Sequence, residues 1–141
     1  MANDVELYDT TLRDGTQQQG ISLSVEDKLA VTRRLDELGI DVIEGGYAGA
    51  NPKDDEYFRR VRELDLKQAK IAAFGNTRRA GGDTESDPTL QALLATEAPV
   101  FTLVGKASDF HVRTVLETSL EENLAMIADS VRFLKSKVPE V

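Results

Sequence analysis

Short apolar runs alternate with longer amphipathic patterns along the chain. Each run contains β-branched or aromatic residues and stops at a glycine or a charged residue, which is typical of strands. Four such runs predict strands at residues 5–9, 42–44, 71–75 and 100–105. The segments between them carry apolar residues at helical spacing. The pattern therefore predicts a strand followed by a helix, four times over.

The predicted helices begin at recognisable N-cap residues. Ser24 with Asp27, and Ser119 with Glu122, have the spacing of a capping box, in which each residue's side chain bonds the other's backbone N–H. An N-cap residue followed by proline in the first turn marks two further starts, at Asn51-Pro52 and Asp87-Pro88. Local signals thus place the start of all four predicted helices.

Strands that alternate with helices predict an α/β fold with a parallel sheet and helical crossovers. Two architectures fit this order, a doubly wound open sheet or part of a (β/α)₈ barrel. A complete barrel needs about 250 residues, whereas the 141 residues here hold four units. Pro139 is expected to end the last helix, and residues 140 and 141 then resemble the first step into a fifth strand. We interpret this as a chain that stops inside a larger domain.

Composition excludes several classes of function. The 25 acidic residues outnumber 17 basic ones and give a net charge of −8, which argues against nucleic-acid and anionic-membrane partners. No apolar run approaches the about 20 residues of a membrane span, and no signal-peptide pattern is present; the cytoplasm is the expected compartment. Without cysteine a thiolate metal site is excluded. The single histidine, His111, excludes a multi-histidine metal site built from this chain alone.

Polar and charged residues gather where the predicted strands end. Arg13, Asp14 and Gln17 follow the first strand, Glu44 ends the second, and His111 lies in the segment after the fourth. In parallel α/β folds ligands bind at the carboxyl ends of the strands. These residues are therefore the candidate site.

The Arg13-Asp14 pair suits a particular chemistry. A carboxylate such as Asp14 is a hard oxygen ligand for Mg²⁺ or Mn²⁺. An arginine such as Arg13 offers a planar fork of donors to a carboxylate or a developing oxyanion. From spacing alone, however, an ordinary turn with a surface ion pair remains the favoured interpretation.

A family resemblance changes that balance. The stretch "DTTLRDGTQ", residues 9–17, resembles the signature of the aldolase-type acyltransferases and lyases. This group includes 2-isopropylmalate, homocitrate and citramalate synthases and 3-hydroxy-3-methylglutaryl-CoA lyase. The later stretches "SVEDKLAVTRRLDELGIDVIEGGYAGANPKD", "AKIAAFGNTRRA", "DFHV" and "SLEENL" are most similar to the citramalate synthase branch. The resemblance runs from about residue 7 to the end of the chain.

The resemblance implies both a fold and a reaction. Residues 1–141 would be the N-terminal half of a TIM-barrel catalytic domain, ending before strand 5. The complete enzyme would join acetyl-CoA to a short 2-oxo acid, with pyruvate to citramalate first and 2-oxoisovalerate to 2-isopropylmalate next, in branched-chain amino acid biosynthesis. The alternative is a non-catalytic open-sheet α/β module that binds a ligand or a partner.

The resemblance also implies roles for individual residues. Asp14 matches the metal ligand of the first strand, for Mg²⁺ or Mn²⁺ and next for Zn²⁺. Arg13 matches the arginine that binds the 2-oxo acid and stabilises charge on its oxygen, and Gln17 and Glu44 match positions lining the substrate end. His111 is open to two interpretations, a substrate contact or an ordinary loop histidine. The family's His-x-His metal ligands have no counterpart here, so this chain alone is expected to be inactive.

Three further expectations follow from the sequence. A half-barrel leaves its first and fourth strands as open edges, which predicts self-association as a homodimer. Arg78 and Arg79 could meet a CoA phosphate, but a solvated loop is the favoured interpretation. Gly45 and Gly46 are interpreted as positions of close backbone approach.

Overall fold

The computed structural model describes residues 5–141. Four parallel strands form one sheet in sequence order, as predicted. They are β1 (Tyr8–Asp9), β2 (Val42–Tyr47), β3 (Lys70–Asn76) and β4 (Val100–Val104). β1 is shorter than the predicted 5–9, although the carbonyl of Leu7 still accepts the N–H of Val42 at 3.1 Å. β2 continues to Tyr47, because a bulge leaves Gly45 without a ladder partner and Gly46 then pairs with Ala73.

Helices follow each strand along the chain. They are α1 (Val25–Leu38), α2 (Pro52–Val61), α3 (Pro88–Ala95), α4 (Asp109–Thr114) and α5 (Leu120–Lys135), with a 3₁₀ turn at Gly15–Gln17 after β1. The short α4 was not predicted from the sequence, and its N-cap residue Ser108 makes no side-chain cap hydrogen bond. Within the part of the chain that is described, no helix is both long and apolar enough to cross a membrane.

The predicted helix caps form with one exception. Ser24 and Asp27 make both halves of a capping box, and Asn51 and Asp87 each accept backbone N–H bonds at their helix starts. The second box, at Ser119, is only half made, because the Glu122 carboxylate turns away to bond Arg78 and the N–H of Gly81. α5 ends at Lys135, before Pro139.

The two faces of the sheet have different partners. Alternate strand residues, such as Ile43, Ala73 and Phe101, pack with helix residues in one large core. The residues next to them, Val42, Ala72 and Val100, form a separate cluster with no helix residue in it. The described helices therefore cover one face only, and we call the other the inner face. A doubly wound sheet needs helices on both faces, so the doubly wound architecture is wrong.

In three of the βα units, the helix packs against the strand at a glycine. Near the carboxyl end of the strand, a glycine lies where a Cβ atom would come within 3.0 Å of a side chain of the next long helix. The pairs are Gly45 with Tyr57 in α2, Gly75 with Leu93 in α3, and Gly105 with Ile127 in α5. The predicted close approach at Gly45 is therefore an approach of helix to strand. Each helix side chain sits directly against strand backbone.

The last residues pair with the sheet. Glu140 forms a parallel bridge with Val100, and its carbonyl accepts the N–H of Phe101 at 3.1 Å. Its carboxylate also meets the Lys70 ammonium at 2.7 Å. The chain after α5 thus runs beside β4, in the direction of the other strands.

Candidate active site at the carboxyl ends of the strands

A tight turn after β1 places Arg13 over the sheet. The carbonyl of Thr10 accepts the N–H groups of residues 13, 14 and 15 at 3.2, 2.9 and 3.2 Å. Leu12 is fully buried in the core on the helix side. Arg13 extends the opposite way and packs on an inner-face ring. Because Leu12 is buried on the helix side of the sheet, the side chain of the next residue, Arg13, lies on the inner face.

The Arg13 guanidinium is held by three neighbours. Its Nε donates to Glu44 Oε1, and its Nη1 donates to Asp14 Oδ1 at 3.0 Å. Its Cζ lies 4.0 Å from the centre of the Phe74 ring, a cation–π geometry. Only 18% of the Arg13 side chain is exposed, and 2% of the Glu44 side chain. The sequence-based site residues Arg13, Asp14 and Glu44 therefore come together.

Glu44 has a second donor that sequence reasoning missed. The Tyr8 hydroxyl donates to Glu44 Oε2 at 2.6 Å and lies 2.5 Å from Thr102 Oγ1. Partial burial, followed by the hydrogen bond to Glu44, raises the pKa of Tyr8 above its ordinary value. The only sign of this contact in the sequence was that Tyr8 and Thr102 are polar residues within predicted strands. Their meeting depends on the curvature of the sheet.

Asp14 and Gln17 lie at the exposed rim. The Asp14 side chain is 64% exposed, so its second oxygen faces solvent. Gln17 ends the 3₁₀ turn, is exposed, and makes no side-chain hydrogen bond to residues 5–141. Gln17 is close to Arg13 along the chain, but within residues 5–141 no hydrogen bond joins the two side chains. Its substrate role stays a prediction.

His111 is separate from the Arg13 cluster. It lies in α4, is exposed, and its nearest aromatic neighbour is Phe110 at 5.9 Å between ring centres. Among the described residues it makes no side-chain hydrogen bond or ion pair. Neither of the two interpretations of His111 is favoured by these contacts.

The donor set for a metal ion is incomplete. In residues 5–141, no three His, Asp or Glu side chains lie close enough together to hold an ion. Asp14 offers one exposed carboxylate oxygen and is suited to be a single ligand of a larger set. A divalent ion would need its other ligands from outside these residues.

A cavity of about 600 Å³ lies beyond the ends of β3 and β4. Its lining includes Tyr47, Asn76, Arg79 and Lys106. Tyr47 packs edge-on against Phe74, with ring centres 5.3 Å apart, and Phe74 lies under Arg13. The cavity is therefore next to the candidate site.

The two arginines at this rim differ from each other. Arg78 is 6% exposed and bonds Glu122 at 2.7 Å and Asp129 at 2.9 Å, so the interpretation of Arg78 as a solvated loop residue was wrong. Its guanidinium lowers the pKa of both carboxyl groups. Arg79 is exposed and, within residues 5–141, has no ion-pair partner. Arg78 anchors the loop to α5, and Arg79 is available to a ligand.

Comparison with known proteins gives the following matches. The HMGL-like family matches residues 4–141. The (R)-citramalate synthase of Geobacter sulfurreducens is 54% identical over 137 residues, covering 97% of this chain and 26% of the relative. That of Aquifex aeolicus is 48% identical over 141 residues, covering 100% of this chain and 27% of the relative. The 2-isopropylmalate synthase of Shouchella clausii is 28% identical over 137 residues, 97% of this chain and 26% of that relative.

Solved structures agree with the fold. Hydroxymethylglutaryl-CoA lyase from Pseudomonas aeruginosa superposes with a TM-score of 0.70 at 20% identity, covering 94% of this chain and 42% of that chain. The lyase from Brucella melitensis gives 0.68 at 17% identity, covering 95% and 46%. The prediction of a (βα)₄ part of a TIM barrel is confirmed. The chain spans about a quarter of the length of the curated relatives it matches.

Proposed function

This chain belongs to the HMGL-like family, and we propose that it forms part of a citramalate synthase-type acyltransferase. Its curated relatives at 54% and 48% identity are (R)-citramalate synthases. In the proposed reaction the methyl carbon of acetyl-CoA loses a proton and bonds to the keto carbon of pyruvate, whose oxygen becomes an alkoxide and then gains a proton. Water then cleaves the thioester to give citramalate and free CoA. 2-Oxoisovalerate, giving 2-isopropylmalate, is the next candidate substrate.

The geometry of Arg13 supports this proposal most directly. Its Nε and Nη1 are occupied by Glu44 and Asp14, and no partner for Nη2 is present among the described residues. That group is available to a substrate oxygen at the strand ends. A guanidinium fixed before the substrate arrives suits a carboxylate or a developing alkoxide, because little reorganisation is needed during the reaction.

Asp14 is the proposed metal ligand of these residues. When bound, a divalent ion supplies Lewis-acid polarisation of the 2-oxo group. Asp14 would hold it with an oxygen that faces solvent, while its other oxygen accepts from Arg13. The ion pair therefore holds Asp14, the proposed metal ligand, next to Arg13, which is proposed to stabilise negative charge on the substrate oxygen.

The 600 Å³ cavity is the proposed place of acetyl-CoA. Its size suits part of a cofactor-sized ligand. Arg79 and Lys106 line it, and cations of this kind attract phosphate groups. Tyr47 and Phe74 connect the cavity to Arg13, so a thioester in the cavity would lie toward the 2-oxo acid.

The test uses the full-length product of the gene that encodes these residues. Purified protein would be incubated with acetyl-CoA, Mn²⁺ and pyruvate or 2-oxoisovalerate, with free thiol measured and the product identified by mass spectrometry. We expect thiol release that requires a 2-oxo acid, with pyruvate preferred. Thiol release no faster than in a control without the 2-oxo acid would contradict the proposal.

A further inference from the structure

Two hydroxyl groups on the inner face have no part in the reaction as proposed. Tyr8 belongs to β1 and Thr102 to β4, the first and fourth strands of the sheet. Their oxygens nevertheless lie 2.5 Å apart. The Tyr8 side chain therefore crosses the inner face and links the two outer strands.

The chemistry of Glu44 fixes the direction of these hydrogen bonds. An ionised carboxylate only accepts hydrogen bonds, and a phenol has a single hydrogen to donate. At 2.6 Å from Glu44 Oε2, the Tyr8 hydroxyl must give that hydrogen to Glu44. The Thr102 hydroxyl must then donate to Tyr8. The result is a directed chain from Thr102 through Tyr8 to Glu44.

Both carboxylate oxygens of Glu44 therefore accept a hydrogen bond. Oε1 accepts from Arg13 and Oε2 accepts from Tyr8, and the residue is 1% exposed. Water is not available to replace either donor at such a buried carboxylate. Rotation of the carboxylate would break both bonds together. Tyr8 therefore determines the plane of Glu44 and, through it, the orientation of the guanidinium.

We infer that Tyr8, itself oriented by Thr102, is a positioning residue that aims Arg13 at the 2-oxo acid. This inference rests on the proposed function, because it concerns the residue proposed to bind that substrate. If Tyr8 only packed against its neighbours, its aromatic ring would be sufficient. A positioning role lies in the hydroxyl, which Tyr8→Phe removes while keeping the ring.

The experiment compares Tyr8→Phe, Thr102→Val and the double variant in the full-length gene product. Thiol release would be measured while pyruvate and acetyl-CoA are varied separately. We expect Tyr8→Phe to lower kcat/KM for pyruvate about tenfold, because misorientation of a substrate-binding group is costly. KM for acetyl-CoA should stay unchanged. Thr102→Val should act in the same sense but less, and the double variant should be no worse than Tyr8→Phe.

Tyr57→Phe is the matched control. Its hydroxyl is also hydrogen-bonded, to Thr32 Oγ1 at 2.9 Å, but on the helix side of the sheet. Its removal should lower the melting temperature and leave the kinetic constants unchanged. Loss of one hydrogen-bonded hydroxyl in general would affect Tyr57→Phe and Tyr8→Phe alike.

Each outcome decides the inference. Wild-type kinetic constants in Tyr8→Phe would overturn it and leave the proposed function intact. A wild-type protein that releases no CoA with either 2-oxo acid would overturn both. If circular dichroism shows that Tyr8→Phe is unfolded, Thr102→Val decides, since it removes only the outer donor; an unchanged kcat/KM for pyruvate in that variant would then overturn the inference.

Discussion

Arg13 and Glu44, 31 positions apart in the chain, form an ion pair on the inner face of the sheet. The pair joins the turn after β1 to the middle of β2. Because Glu44 is almost fully buried, removal of the arginine would leave an uncompensated charge and destabilise the fold. Tests of function at this pair therefore need substitutions that keep the charge.

Arg13→Lys keeps the charge and removes the fork of donors. An ammonium cannot bond Glu44, Asp14 and a substrate oxygen in the fixed plane of a guanidinium. We expect kcat/KM for the 2-oxo acid to fall by about a hundredfold in the full-length gene product, with the fold retained. The thiol-release assay measures it, with Arg33→Lys on the exposed side of α1 as the control. Near-normal turnover in Arg13→Lys would show that the assigned role is wrong.

Asp14→Asn removes the charge of the proposed metal ligand. We expect metal-dependent turnover to be abolished and Mn²⁺ binding, measured by isothermal titration calorimetry, to weaken sharply, because a neutral amide is a poor ligand for a hard cation. Asp65→Asn, at an exposed position after α2, is the matched control. Wild-type Mn²⁺ affinity in the Asp14 variant would exclude Asp14 as a ligand.

Arg79→Ala and Lys106→Ala test the proposed place of acetyl-CoA. Each removes a cation from the lining of the 600 Å³ cavity. We expect KM for acetyl-CoA to rise several-fold in both variants and KM for pyruvate to stay the same, since the phosphates bind far from the reacting carbon. Arg33→Ala is the control for loss of charge alone. A rise in KM for pyruvate only would place the cofactor elsewhere.

Asp36→Asn tests a structural carboxylate at the other end of the sheet. Asp36 is buried at 6% exposure and accepts the N–H groups of residues 67, 68 and 69 at 2.8, 3.0 and 2.8 Å. In the variant an amide N–H₂ group would face one of these donors. We expect a loss of about 1–3 kcal/mol in the free energy of unfolding at pH 7, measured with urea.

The pH dependence of this effect has a definite sign. Burial by itself would raise the pKa of Asp36, but the three backbone N–H bonds lower it below its ordinary value. A carboxyl group with a lowered pKa in the folded state stabilises the protein above its ordinary pKa of about 3.9. That stabilisation is lost as the pH falls further. The wild type and Asp36→Asn should therefore converge in stability below pH 4.

Residues 1–141 expressed alone should associate. Within residues 5–141, β1 pairs on one side only, with β2, and Val5 and Leu7 beside it are 72% and 53% exposed. Exposed apolar groups at an open strand edge favour pairing with another copy. Sedimentation velocity should show a dimer that dissociates on dilution. A monomer at every concentration tested would contradict the expectation.

Local signals in the sequence were enough to predict most of the framework. The Ser24–Asp27 capping box and the Asp87 cap depend on residues within one helical turn, and both form. The order of the four strands followed from the alternation of strands and helices. The pairing of Arg13 with Asp14 could be expected because the two are adjacent.

Contacts between distant segments could not be predicted in the same way. The partners of Arg78 lie 44 and 51 positions later in the chain, so its burial depends on how α5 packs. The hydroxyls of Tyr8 and Thr102 are 94 positions apart and meet only because the sheet is curved. α4 is six residues long, too short to carry a clear periodic signal.

The glycines near the carboxyl ends of β2, β3 and β4 fix the position of three helices on the sheet. Because Tyr57, Leu93 and Ile127 rest directly on strand backbone, a helix cannot slide along its strand without collision. The spacing between neighbouring strand ends, and so between the groups they carry, is set when the chain folds. In the proposed function, entry of acetyl-CoA would therefore depend on the segments at residues 77–87 and 105–119, the second of which contains α4. Changes to loop length should alter the rates of ligand entry and release while leaving the alignment of the reacting groups unchanged.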